Sequence, residues 1–363
     1  MQSTGQDFLK NVSRTKLKEA EIEISIFGKG FGECIVLCVG EKDCIIVDSF
    51  LNPSTQNPIA IDYLKAIDFD CNRIKFVVLT HWHTDHISGI SEILYSANPN
   101  VKLVLSPIIT KKKFNDFINY AIQEESKSTS EYERVLEFIK QRGASCIKFA
   151  SHDKRIFATE DSNSNVEIFS LSPQDNDLIR YLRSLVRPDK AGKTAYEFKE
   201  DNILSIVLLI KLLDNGILLG SDLETTNKDY EGWDAVVNNY THLKCHPSIF
   251  KVPHHGSENG HNNFVWEKIL RQKPISILTA YNKGYKLPKD SDIDRIKKLS
   301  EKLYVIGSKS KQDKELKLKI RKLMPDVKIE ALPDQIGMVR WRKELNNSED
   351  NGKIDFFGKV YCY

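Results

Sequence analysis

From residue 21 onward the chain alternates short apolar runs with polar turns. Ile22-Glu23-Ile24-Ser25-Ile26-Phe27 has the period of two expected of a half-buried strand. The glycine-rich stretch Gly28-Lys29-Gly30-Phe31-Gly32 follows, then a second run from Cys34 to Val39, a turn at residues 40–43, and a third run from Cys44 to Val47 that ends at Asp48. Ile61 to Ile67 has helical spacing, and Ile74 to Leu79 is another apolar strand. Further strands are predicted at 101–105, 146–149, 166–171, 203–213, 216–220, 248–252 and 275–280, with a last one at Gly337 to Trp341. Residues 203–213 and 216–220 meet at Asp214-Asn215-Gly216, a hairpin signal.

Between about 108 and 145 the pattern changes to charged, helix-spaced sequence, with apolar positions Phe114, Phe117, Ile118 and Ile122, then Tyr132, Val135, Leu136 and Ile139. It reads as a helical insertion. No linker interrupts residues 20–345, so the expected organisation is one α/β domain, a polar N-terminal extension over 1–19 and a C-terminal tail over 346–363.

Composition narrows the classes. The net charge is +3, from 53 basic and 50 acidic residues, too even to mark a nucleic-acid protein by itself. The seven cysteines are scattered, odd in number and without a Cys-x-x-Cys pair, which fits reduced buried thiols rather than a disulfide framework. The first residues lack the apolar core of a signal peptide, and no run approaches the roughly 20 apolar residues needed to span a bilayer. A cytoplasmic protein without a membrane role is the expectation.

The chemistry begins two residues after the strand 74–79. His81-Trp82-His83-Thr84-Asp85-His86 places three histidines and an aspartate within six residues at a strand end, where the loops of layered α/β folds converge. Imidazole nitrogens and carboxylate oxygens are ligands for zinc and manganese. Asp222 also ends an apolar strand, where a carboxylate is able to bridge two cations. His254-His255 follows the run Phe250-Lys251-Val252-Pro253. Neighbouring strand residues face opposite ways, so one histidine is expected to be a ligand and the other either a support to the ligands or a proton donor to the leaving group. His254 or Ser257 is the candidate to assist the departing group. Asp48 is expected to fix the tautomer of a ligand histidine through its other ring nitrogen.

These residues, in this order, resemble the metallo-β-lactamase superfamily: Asp48, the cluster at 81–86, and Asp222. Within it, the glycine turn before Cys34, Asn202-x-x-Ser205-x-Val207-Leu208, Gly220-Ser221-Asp222-Leu223-Glu224 and Val252-Pro253-His254-His255-Gly256-Ser257 look most similar to the hydrolase domain of ComEC-type DNA-uptake proteins and their stand-alone relatives. The resemblance implies an αββα metallo-β-lactamase sandwich. It also implies two divalent metal ions, zinc or manganese, held by His81, His83, Asp85, His86, Asp222 and His255, with Asp85 and His254 catalytic. Two departures stand out. Where many relatives carry a ligand histidine this chain has Ser172, and Tyr285-Lys286-Leu287-Pro288 replaces a Tyr-Gly-His-Pro stretch.

The implied function is a phosphodiesterase or nuclease acting on nucleic acid or a nucleotide. The basic runs Lys111-Lys112-Lys113 and Lys309 to Lys322 agree with it. The alternatives are a small-molecule ester or lactone hydrolase, or a partner-binding module whose metal site is structural. A protein partner or a homo-oligomer is compatible with all three.

Overall fold

The computed structural model describes residues 9, 10, 12, 16–112, 114, 127–159, 165–188, 194–196, 202–213, 215–240, 243–284, 286–307, 336–347 and 350–363. In chain order the strands are β1 (Glu21–Gly28), β2 (Glu33–Val39), β3 (Asp43–Val47), β4 (Ile74–Val78), β5 (Lys102–Leu105), β6 (Ile147–Phe149), β7 (Lys154–Ala158), β8 (Glu167–Ser170) and β9 (Val186–Pro188). They continue with β10 (Thr194–Tyr196), β11 (Leu208–Lys211), β12 (Gly216–Leu219), β13 (Ile249–Lys251), β14 (Ile275–Thr279), β15 (Lys302–Ile306), β16 (Gly337–Glu344), β17 (Lys353–Gly358) and β18 (Val360–Cys362).

Two eight-stranded sheets result. One has the order β17-β16-β1-β2-β3-β4-β5-β6 and the other β18-β15-β14-β13-β12-β11-β8-β7. In both, an antiparallel half gives way to a parallel one: β3 to β6 run parallel in the first sheet, and β12 to β15 in the second.

The period of two sorts the side chains into layers. On β2 and β3, Ile35, Leu37, Ile45 and Val47 point between the sheets and meet Leu208, Ile210, Ile217, Ile249 and Ile277 from the other side. Their neighbours Cys34, Val36, Cys44 and Ile46 point outward and are covered by the helices Ile59–Ala66, Ile90–Ser96 and Lys127–Arg142. On the far side Leu209, Leu218, Phe250 and Leu278 pack against the helices Gly232–Asn239 and Asp290–Leu299. Each fully buried side chain of this size contributes about 1.5–3 kcal/mol. Strands apolar on both faces therefore require helices on both outer faces, and the expected four-layer αββα sandwich is the result.

Several expectations change in detail. Residues 203–213 form no single strand. Asn202–Leu204 is a 3-10 turn and pairing begins at Leu208. Ser172 Oγ donates to Ser205 O at 2.6 Å and accepts Val207 N at 2.8 Å, while Ile206 N donates to Thr80 O, so the intervening backbone is already engaged. The residues set apart as a C-terminal tail hold β17 and β18, which close one edge of each sheet, so β16 is not the last strand. In the N-terminal extension Val12 and Leu17 are buried in the core. Within the insertion, Tyr132, Val135 and Phe138 are buried, and Glu131 Oε1 accepts hydrogen bonds from Ser91 N and Oγ at 2.9 and 2.7 Å. Phe117, Ile118, Ile122 and Lys113 lie outside the described residues, as do Tyr285 and the basic run 309–322.

Candidate metal centre

The C-terminal ends of β3, β4, β12 and β13 converge on one edge of the sandwich. Asp48 leaves β3 with φ +56, and its backbone N–H donates to Val78 O at 2.9 Å. Its carboxylate accepts Thr80 N at 2.8 Å on Oδ1, and Thr80 Oγ1 at 2.7 Å and His86 Nδ1 at 2.7 Å on Oδ2. That network sets the tautomers. His86 carries its proton on Nδ1 and turns a bare Nε2 inward. Thr80 gives its hydroxyl proton to Asp48 and so accepts His81 Nδ1 at 3.0 Å, which leaves His81 Nε2 bare as well. His255 Nδ1 donates to Thr279 O at 3.0 Å, with the same consequence.

Four buried side chains, Asp85, His86, Asp222 and His255, bring donor atoms within 4.8 Å of one another. His86 Nε2 lies 3.4 Å from Asp222 Oδ2 and 3.6 Å from Asp85 Oδ2, and His255 Nε2 lies 3.4 Å from both carboxylates. Neither ring nitrogen makes a hydrogen bond, and Asp222 Oδ1 is likewise buried without a partner. Two donors each bound at about 2.1 Å to one tetrahedral cation stand about 3.4 Å apart. The spacing, the bare nitrogens and the mixed imidazole–carboxylate donor set fit a divalent cation of the zinc or manganese class.

The charges agree. Burial opposes ionisation throughout the cluster, yet attraction to His255 and His86 holds the Asp222 carboxyl well below its usual range, and Asp85 is lowered in the same way. Burial also opposes a proton on His255, but Asp222 and Asp85 push its pKa up to about 9, and His86 is raised too. Without a cation, protons supply the positive charge that the carboxylates demand. His81 goes the other way: burial and the nearby His86 hold it well below the histidine range, outweighing the pull of Asp222 and Asp85.

His81 and His83 stand beside the four converging donors, not among them. Their ring centroids are 4.6 Å apart, and His81 is 4.2 Å from His86. The Ser172 hydroxyl is engaged by backbone, with Ser205 O and Val207 N as its partners. Leu287 pairs its backbone with Tyr281 and lines the cavity over the site.

The reasoning applied to the histidine pair needs correction, although the two rings do separate. His254 and His255 lie past β13 in a 3-10 turn, with φ +45 and +53, so strand alternation does not set their directions. The left-handed backbone turns His255 to the carboxylates. His254 faces the cavity instead, with Nε2 3.2 Å from Asn202 Nδ2 and Nδ1 3.4 Å from Glu224 Oε1. Ser257 Oγ donates to Asn259 Oδ1 at 2.5 Å at the same rim. The cavity measures about 420 Å³, and Phe31, Glu224, Tyr281, Lys283 and Lys289 complete its walls.

Sequence reasoning missed the support beneath the ligands. Lys251 Nζ and Glu33 Oε2 form a dry ion pair at 2.5 Å that joins β13 to β2 across the sandwich. Lys251 Nζ also reaches Ser221 O at 3.3 Å, next to Asp222, and Thr279 Oγ1 donates to Glu33 at 2.5 Å, next to its carbonyl contact with His255. The available signal was a charge inside or against an apolar run, Phe250-Lys251-Val252 and Glu33-Cys34-Ile35.

Residues 27–109 match the family model described as the metallo-beta-lactamase superfamily, a span that includes Asp48 and the cluster 81–86 and stops well short of Asp222. No curated protein matches the chain. Among solved structures, metallo-beta-lactamase SMB-1 bound to 2-mercaptoethanesulfonate shares 11% identity over 66% of this chain and 78% of its own, with a TM-score of 0.35. MEM-A1, a subclass B3 metallo-beta-lactamase from a soil metagenome library, shares 8% over 67% and 80%, with a TM-score of 0.36. The hydrolase AbOPH of the beta lactamase superfamily shares 13% over 52% and 55%, with a TM-score of 0.29. Such distant likenesses leave the chemistry to the residues of this chain, of which 27–109 resemble the metallo-beta-lactamase superfamily.

Proposed function

We propose that this protein is a metal-dependent hydrolase whose substrate is a phosphodiester. The observation that carries the reading is the convergence of bare, buried His86 Nε2, His255 Nε2 and Asp222 Oδ1 beneath a cavity edged by Lys283 and Lys289. Asp85, His86, Asp222 and His255 would hold a divalent cation, and His81 and His83 adjoin it. Such a cation supplies Lewis-acid polarisation of a phosphoryl oxygen and eases the deprotonation of water.

The side chains supply the rest. Asp85 belongs both to the donor group and to the cavity wall, so it orients the attacking water toward phosphorus. Lys283 and Lys289 draw the anionic substrate to a pocket whose own carboxylates would otherwise repel it. His254, held between Asn202 and Glu224, gives a proton to the departing oxygen. The motif resemblance to the ComEC-type hydrolase domain supports the same substrate class.

The test is turnover of bis(p-nitrophenyl) phosphate, single-stranded DNA, duplex DNA and RNA by the protein loaded with Mn²⁺ or Zn²⁺. Hydrolysis of at least one is expected, with kcat falling by about 10²-fold or more in Asp85→Ala. No turnover of any phosphodiester, or turnover confined to esters and lactones, would overturn the reading.

A further inference from the structure

One wall of the cavity is aromatic and cationic, and it comes from both sheets. Phe31 stands at the tip of the turn between β1 and β2, and Tyr281 follows β14. Their ring centroids are 5.4 Å apart in an edge-to-face pair, and the Tyr281 ring lies 5.2 Å from that of His255. The aromatic wall therefore starts at a candidate metal ligand. Lys283 Nζ covers the Phe31 face at 4.5 Å, and Lys289 lies on the same wall. Among the described residues neither lysine has a carboxylate partner.

The wall is built before any ligand arrives. Gly30 O accepts Asn282 N, and Asn282 Nδ2 donates to Gly307 O at 3.0 Å, so the two loops are joined. Gly30 has φ +86 and Gly32 φ +130. A Cβ on the first would lie 2.1 Å from Asn282 Nδ2, and one on the second 2.6 Å from Phe50 Cβ. Only glycine permits this approach, and its effect is to hold Phe31 half-buried at the mouth rather than folded into the core.

A half-exposed aromatic pair beside two cations that have no carboxylate partner among the described residues, adjoining a centre for a phosphoryl group, is the chemistry that binds a base and its phosphate. An uncharged acyl ester or lactone would make no use of the lysines. We propose that Phe31, Tyr281, Lys283 and Lys289 form a subsite for the nucleobase next to the scissile phosphate and for the phosphate beyond it. The exposed Lys283 stem moves off the Phe31 face as the base stacks, and its ammonium passes to that phosphate. The inference rests on the phosphodiester reading and deepens it.

Two substrates with the same leaving group test it: thymidine 5′-(p-nitrophenyl phosphate) and methyl p-nitrophenyl phosphate, each with the metal-loaded protein. The wild type should prefer the thymidine ester in kcat/KM by about tenfold or more, as stacking of one base allows. That ratio should fall toward one in Phe31→Leu and in Tyr281→Leu, each first checked for wild-type metal content. Lys283→Met should raise KM for a dinucleotide more than for the mononucleotide ester. If the methyl ester is turned over and the wild-type ratio is already one, the subsite is wrong while the phosphodiester reading survives. If neither ester reacts, that reading fails only where bis(p-nitrophenyl) phosphate, DNA and RNA are left intact as well. The subsite is then judged by calorimetric binding of thymidine 5′-monophosphate against methyl phosphate, and equal affinities would overturn it.

Discussion

The two ends of the central strands carry charge in opposite ways. At the N-terminal ends of β3 and β4 a hollow of about 930 Å³ is lined by Lys42, Asp43, Lys75 and Phe76, larger than the cavity over the metal centre. Its two lysines are wet and paired, Lys75 with Asp43 at 3.6 Å and Lys42 with Glu19 at 3.1 Å, and both side chains are more than half exposed. At the C-terminal ends of the same strands Asp85, His86, Asp222 and His255 are buried, and the Nε2 atoms of the two histidines make no hydrogen bonds. The larger space is not the one where the candidate metal donors gather. A solvated ion pair asks for nothing more, whereas buried carboxylates facing bare nitrogens are stable only when a cation or protons complete them.

The sharpest way to break this comparison is Asp222→Ala. It removes the carboxylate that touches both His86 and His255, so metal content should fall to background and kcat/KM by about 10³-fold or more, read by elemental analysis and phosphodiester turnover. Retention of metal would show that the cluster is not the centre. Next in size is Lys251→Met. It leaves Glu33 as an uncompensated buried charge and should lower stability by about 3–5 kcal/mol in urea unfolding. The double variant Lys251→Met with Glu33→Leu should recover a large part of that loss.

A smaller effect lies in pH. The folded pKa of His255, about 9, is above its ordinary 6.5, so its contribution to the metal-free protein is complete below about pH 6.5 and is lost as pH rises through 9. The melting temperature of chelator-treated protein should therefore fall over that window. A cation must displace the same protons, so the stabilisation by added metal should grow over it. A flat metal-free profile would contradict the charge balance described for the centre. Smallest of all is Lys75→Ala at the wet end, expected within about 0.5 kcal/mol of wild type and without effect on metal content.

The segments that carry the candidate metal ligands were readable because they are local. An apolar strand followed by His81 to His86 reports both the element and its cargo, and the same holds for β12 with Asp222 and for β13 with the histidine pair. Positions 203–213 show the limit. An apolar run gives burial, but whether it extends or coils depends on whether Ser172 and Thr80 engage its backbone. The strands β17 and β18 were missed for a related reason: mixed polar sequence pairs at a sheet edge because a partner strand is already in place.

What the sequence by itself determined is the alternation that makes two sheets apolar on both faces, and the donor chemistry delivered at their strand ends. Both depend on neighbours a few residues apart, within reach of a strand or a turn. Tertiary structure alone decided which donors converge. It gathered four and left His81 and His83 beside them, turned His254 away through a left-handed turn, and set Glu33 against Lys251 and Phe31 against Tyr281. Those pairs join the two sheets across more than two hundred residues, and only packing brings such distant positions within a few ångströms.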